Sequence, residues 1–213
     1  MENKEASKND PIIKIIEFGI ELWIRKQCKS IGNLKLEIFG STIELIRGRL
    51  SEVKLIANKV NFQDLNLYYV NLRSDPLKFN INLSRRDQRF VFRKRFGIKA
   101  DVHITTENLN QLLNTERWKW IGDWLANKLI KADKLKSMKI NENSIKLAGV
   151  KSDETKVLTD EFFLKSSSGT LMFHNKNKTI TSLLPMDPNI NIYNALIKDN
   201  KIFVSIHSEI NPK

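Results

Sequence analysis

The sequence predicts an α+β fold in which a long apolar N-terminal helix is wrapped by a curved, mostly antiparallel β-sheet, with two further helices. Three observations predict it. The run from Ile12 to Ile24 is apolar except for one narrow polar stripe. Most later segments alternate apolar and polar residues with period two. Between two groups of such segments lie a Thr-led leucine segment and a Trp-bearing segment, both with helical spacing.

The elements follow in chain order. Residues 1–9 read as a disordered tail, and residues 10–213 as a single domain. Asp10 and Pro11 form a helix start, an N-cap followed by proline at the first helical position. Lys14, Glu17, Glu21 and Arg25 fall on one stripe of the helix. The rest of its circumference is apolar or glycine, so it needs covering on several sides. A curved sheet would do that, and so would a bilayer surface. "LKLEIF", "EVKLIANKVNF", "LNLYYVNLR" and "PLKFNINL" read as strands, with a short helical turn ending at Gly48 and a turn at "NFQDL". From Phe90 to Ile104 the even positions are apolar except Lys94, while Arg93, Arg95, Lys99, Asp101 and His103 take odd ones. That parity predicts one long strand, with Ser84–Arg89 as the hairpin tip before it. Thr105 or Thr106 caps a helix carrying Leu109, Leu112 and Leu113, and a second helix covers Glu116 to Lys131. In that second helix Trp120 and Trp124 read as the core-facing pair and Trp118 as the one pointing away. Strands resume at "SMKIN", "SIKLAGV", "EFFLKSSSGTLMFHN" and "KIFVSIHSEI". The loop around Asp153 is the weakest join.

Composition bounds the function. The chain has 213 residues, with 41% hydrophobic and 28% charged, an ordinary balance for a globular protein. Its net charge of +12 favours anionic partners: nucleic acid, acidic protein or anionic lipid. The single cysteine, Cys28, allows neither an internal disulfide nor a thiolate zinc site, and suits a reducing compartment. His103, His174 and His207 have no ligand-spaced partners and read as surface strand residues. No nucleophile elbow, P-loop, dinucleotide fingerprint or H-E-x-x-H occurs, so an enzyme, a cofactor and a metal are not expected. The first residues offer no apolar leader segment, and the Ile12–Ile24 run is too interrupted to span a bilayer. The expected location is cytoplasmic, or peripheral on the cytoplasmic face of a membrane.

The mixture of Arg and Phe between Leu83 and Asp101 suits either RNA or an anionic membrane in residue type. Its parity sends Phe and Arg to opposite faces, which argues against base stacking beside phosphate contacts. A nucleic-acid-binding module built on this hairpin is the alternative function, and an interaction domain with an incidental basic surface is a third.

The stretch "GSTIELIRGRLSEVKLIANKVNFQDLNLYYVNL", followed by "IKADVHITTENLNQLL", resembles the LmeA-like phospholipid-binding family of actinobacteria and cyanobacteria. The likeness rests on Gly48, Arg49 and Leu50 before a strand, on the strand from Asp64 to Leu72, and above all on Thr105, Glu107, Leu109, Asn110, Leu112 and Leu113. It covers roughly Leu34 to Ile145. A composition rich in Lys, Asn and Ile suits an AT-rich cyanobacterial genome. The resemblance implies a tubular lipid-binding (TULIP-like) fold with an apolar cavity for acyl chains. It also implies non-enzymatic binding or transfer of phospholipid or glycolipid at an anionic membrane surface. Leu36, Ile38, Leu55, Leu67, Phe79, Ile81, Ile98 and Val102 are then the candidates to line the lipid site. Arg85, Arg86, Arg89, Arg93 and Arg95 are the candidates to dock head groups. Some members of the family are exported lipoproteins, whereas this chain shows no lipobox cysteine near its start, so compartment does not carry over.

Overall fold

The computed structural model describes residues 11–81, 90–152 and 156–211. The expected tail at residues 1–9, the Asp10 cap, the hairpin tip Ser84–Arg89 and Asp153 lie outside the described residues.

Helix α1 (Pro11–Gln27) leads into strands β1 (Cys28–Ser30) and β2 (Leu34–Phe39), short helix α2 (Thr42–Ile46) and strand β3 (Arg49–Leu50). Two long strands follow, β4 (Glu52–Phe62) and β5 (Leu65–Ser74), then β6 (Leu77–Ile81), β7 (Phe90–Phe92) and β8 (Phe96–Thr105). Helices α3 (Thr106–Leu112) and α4 (Lys119–Leu125) come next, and α4 runs on into a π-helical turn at Ala126–Ile130. The chain closes with β9 (Lys134–Ile140), β10 (Ile145–Val150), β11 (Val157–Ser167), β12 (Thr170–Asn175), β13 (Thr181–Leu183), β14 (Ile190–Lys198) and β15 (Lys201–Ile210).

The strands form three antiparallel sheets. The largest runs β1-β4-β5-β8-β15-β14, with β2 also on β4. A five-stranded sheet runs β13-β12-β11-β10-β9, and a small one β3-β6-β7. Hairpins β4–β5, β11–β12 and β14–β15 turn on Gln63–Asp64, Ser168–Gly169 and Asp199–Asn200. Each turn pair has positive φ at both positions, the twist that two-residue hairpins require. Gly48 (φ +68°) is also obligatory, since a Cβ there would lie 2.2 Å from the Phe79 carbonyl oxygen. Its own carbonyl accepts the Phe79 N–H at 2.9 Å, tying the start of β3 to β6.

Three apolar clusters fill the interior. One lies beneath α1 and joins Ile13, Ile16 and Ile20 to Ile38, Leu45, Leu50, Val53, Leu77 and Phe79. A second lies on the large sheet around Leu55, Ala57, Val60, Leu67 and Val102. The third joins the five-stranded sheet to α3, α4 and the ends of β14 and β15.

Thr105 caps α3 through a reciprocal box with Asn108. The Asn110 amide then clasps β9, donating to the Met138 carbonyl at 2.7 Å and accepting the Met138 N–H at 2.9 Å. Thr106 accepts the Ile140 N–H at 2.9 Å. Leu109 and Leu112 are buried behind them. The Thr-Leu run is thus a fastener between the helices and the second sheet.

Four expectations need correction. First, α1 is not wrapped. It buries Ile13, Ile16 and Ile20, while Ile15, Phe18 and Leu22 on the opposite side are exposed. Among the described residues the sheets do not close around it. Second, three further helices follow α1 rather than two, because the turn before Gly48 is a capped helix: the Ser41 hydroxyl accepts from Glu44 N–H and the Glu44 carboxylate accepts from Ser41 N–H. Third, the single strand expected from Phe90 to Ile104 is two. Residues Arg93–Arg95 break it, so β7 belongs to the small sheet and β8 to the large one. Fourth, two of the three tryptophans exchange roles, while Trp124 packs on the core as expected. Trp118 is half-buried and its indole N–H donates to the Gln63 carbonyl at 2.8 Å, whereas Trp120 is exposed. The inward face of α4 is set by Gly122 and Leu125, roughly opposite Trp120 on the helix.

Candidate functional site

The large sheet has two faces of different chemistry. Cross-strand register builds the inner one. Leu36, Leu55, Leu72, Ala100, Ile206 and Ile192 are successive partners on β2, β4, β5, β8, β15 and β14. Beside them, Leu34, Ala57, Val70, Val102, Val204 and Ala195 are partners across the same six strands. Every one of these side chains is apolar, which makes a continuous apolar floor. Ile24, Cys28 and Ile31, from the end of α1 and just beyond it, pack on this floor. They do not seal it. Leu34, Leu36, Val70, Leu72, Ala100 and Ile206 remain only half-buried, between the cluster under α1 and the core of the second sheet. The Cys28 thiol is pushed above its ordinary pKa by burial, so it is protonated near neutrality.

The expected lining residues divide over this region. Leu55, Leu67 and Val102 are buried in the sheet cluster. Ile38 and Phe79 are buried beneath α1, and half-buried Leu36 borders both clusters. Ile98 is half-buried in the next register position, between Ser74 and Ser208. The side chain of Ile81 lies outside what the structure describes.

Leu34 and Ala100 share the inward parity of their strands but were not among the expected lining, and neither were Val70, Leu72, Val204 and Ile206. In β5 the inward parity changes between Leu67 and Val70, opposite Lys59, whose φ is +52°. Val204 and Ile206 were legible as the even positions of "KIFVSIHSEI".

The outer face is polar and aromatic. Tyr69, His103, Phe203 and Leu196 form one register row. The Tyr69 and His103 rings stack at 4.6 Å, and His103 and Phe203 meet at 4.2 Å. Asn71, Asp101, Ser205 and Asn194 form the adjacent row, with Ser205 donating to Asp101 at 2.7 Å. Together they border an open depression of about 450 Å³. Burial pulls the His103 pKa down, the Lys201 charge adds to that, and Asp101 opposes it, so the ring is neutral near pH 7.

Of the five arginines considered for docking, Arg85, Arg86 and Arg89 lie outside the described residues. Arg93 and Arg95 are exposed at the break between β7 and β8, where Arg95 pairs with Glu209 at 3.5 Å. Phe92 and Phe96 turn inward beside them, with Phe92 edge-on to Trp23 at 5.1 Å. Phe and Arg therefore do present to different sides.

Among the described residues, no three acidic, His or Cys side chains gather to hold a metal ion, and no helix is long and apolar enough to cross a membrane. No curated protein and no solved structure matches the chain. A family model described as LmeA-like phospholipid-binding matches residues 10–181, which takes in α1, the large sheet through β8, the α3 fastener and most of the second sheet. The chain belongs to the LmeA-like phospholipid-binding family.

Proposed function

We propose that the protein binds phospholipid without catalysing its conversion, and that the acyl chains lie on the half-covered apolar floor of the large sheet, beside the end of α1. The observation that carries this reading is the pair of six-residue apolar rows. A sheet face that only needed a core would be covered along its whole width. Here Leu72, Ala100 and Ile206 in the middle of the first row, and Leu36 at its edge, are left partly open. A flexible hydrocarbon chain needs such a surface: continuous, apolar and long in one direction. The Cys28 thiol beside the floor is kept protonated by burial, which fits carriage rather than chemistry. Binding and transfer share this geometry, and a glycolipid would use the same floor for its acyl chains.

Organic extracts of the purified protein, washed at high salt, should contain phospholipid by mass spectrometry. Ala100→Trp should reduce that lipid sharply with little change in melting temperature, because the indole enters open space. Phe79→Trp is the contrast: in the filled core beneath α1 it overpacks and costs about 1–3 kcal/mol. An extract without lipid, or an Ala100→Trp protein that melts early and keeps its lipid, would refute the proposed floor.

A further inference from the structure

Helix α1 has a second apolar face that the fold does not use. Ile13, Ile16 and Ile20 point into the core. Ile15, Phe18 and Leu22 recur at spacings of three and four, so they form a stripe roughly opposite to that buried face. They are 62%, 57% and 39% exposed. Helix α2, which packs on α1, repeats the arrangement. Its Leu45 is buried, while Ile43 and Ile46 are 63% and 68% exposed. Single exposed apolar residues need no explanation, but five on two adjoining helices do.

The surrounding charges indicate the occupant. By helical spacing Lys14 and Arg25 flank the α1 stripe on one side, with Glu21 and Glu17 just beyond them, and Lys26 flanks it on the other. Arg47 and Arg49 follow α2 directly. All five cations are exposed, although Arg25 pairs with Glu21 at 2.8 Å and Lys26 also has a partner. Glu17, Glu21 and Glu44 offset part of this charge and leave the rim net positive, so a second copy of the chain seated on this face would bring two positive rims together. An anionic bilayer would meet the rim with opposite charge and receive the apolar stripe among its acyl chains.

We propose that the outer stripe of α1, with Ile43 and Ile46, docks the protein on an anionic lipid surface, α1 lying in the interface plane. The lipid partner rests on the phospholipid reading above, but the docking face is distinct from the sheet floor.

The test uses the triple variant Ile15→Ser, Phe18→Ser, Leu22→Ser. Binding to vesicles of phosphatidylglycerol and phosphatidylcholine, measured by flotation, should weaken by about a hundredfold or more. Melting temperature and co-purified lipid should stay as in the parent. In a Cys28→Ser background, Phe18→Cys carrying an environment-sensitive dye should shift to the blue on these vesicles and not on pure phosphatidylcholine. Undiminished vesicle binding by the triple variant, or an unshifted dye, overturns the docking face. A parent that is dimeric by light scattering and a triple variant that is monomeric would overturn it in favour of self-association. Loss of co-purified lipid with intact docking would instead count against the floor variants' reading, so the two proposals fail separately.

Discussion

Ile20 and Ile15 are the same residue type on one helix, 3% and 62% exposed, and truncating each to alanine separates the two faces of α1. Ile20→Ala removes three carbons from a site packed among buried neighbours. At about 0.8 kcal/mol per carbon the transfer loss is about 2.4 kcal/mol, and the cavity left behind raises it to about 3–4 kcal/mol. For a chain of this length each kcal/mol lowers the melting temperature by about 2–4 °C, so the variant should melt about 6–16 °C early. Ile15→Ala removes the same carbons from solvent and should change stability by no more than about 0.5 kcal/mol. Circular dichroism through thermal and urea unfolding reads both. If Ile20→Ala unfolds within 1 kcal/mol of the parent, as a rough threshold, α1 is not part of the core. If Ile15→Ala falls as far as Ile20→Ala, the stripe is covered in solution and the two-faced reading fails.

Two more outcomes follow from the site and the fastener. The lowered pKa of His103 means that the unfolded chain takes up its proton first, near pH 6.5. The stability it contributes is complete above that pH and is lost as pH falls through the lower folded value. A His103→Phe protein should lose this part of the pH dependence in urea midpoints taken across the acid range, and an unchanged profile would refute it. Asn110→Ala should leave the Met138 N–H and C=O without their side-chain partner, cost about 2–4 kcal/mol, and speed amide exchange at Met138; parent-like exchange there would show that the clasp is dispensable.

Much of the fold was legible because one-sided burial writes itself as alternation. β2, β4 and β15 begin and end where the period-two runs do. The failures are local and have causes. β14 was not recognised because a bulge between Ile192 and Asn194 moves the inward residues from Ile190 and Ile192 to Ala195 and Ile197. The break between β7 and β8 was invisible because Phe92 and Phe96 are four apart. An even number of intervening steps preserves parity whether or not the strand continues, so alternation carried no signal of the interruption. The inner rows of the sheet depend on which strands pair, and register between distant strands is not written in any one segment. That is why Val70 and Leu72 emerged only with the fold.

The helix shows the limit most clearly. Periodicity reports the directions in which a helix is apolar, and for α1 it reported nearly all of them except the stripe of Lys14, Glu17, Glu21 and Arg25. It does not report what lies in each direction. Ile13, Ile16 and Ile20 found Leu50, Leu77 and Phe79. Ile15, Phe18 and Leu22 are of the same chemical type and found solvent. A sheet could have covered both sides only by curling around the helix, and β3, β6 and β7 instead form a separate small sheet. Such a stripe gains nothing from the hydrophobic effect while it faces water. The docking proposed for this face would give these residues a role, with an anionic lipid surface as the partner whose charge suits the net-positive rim.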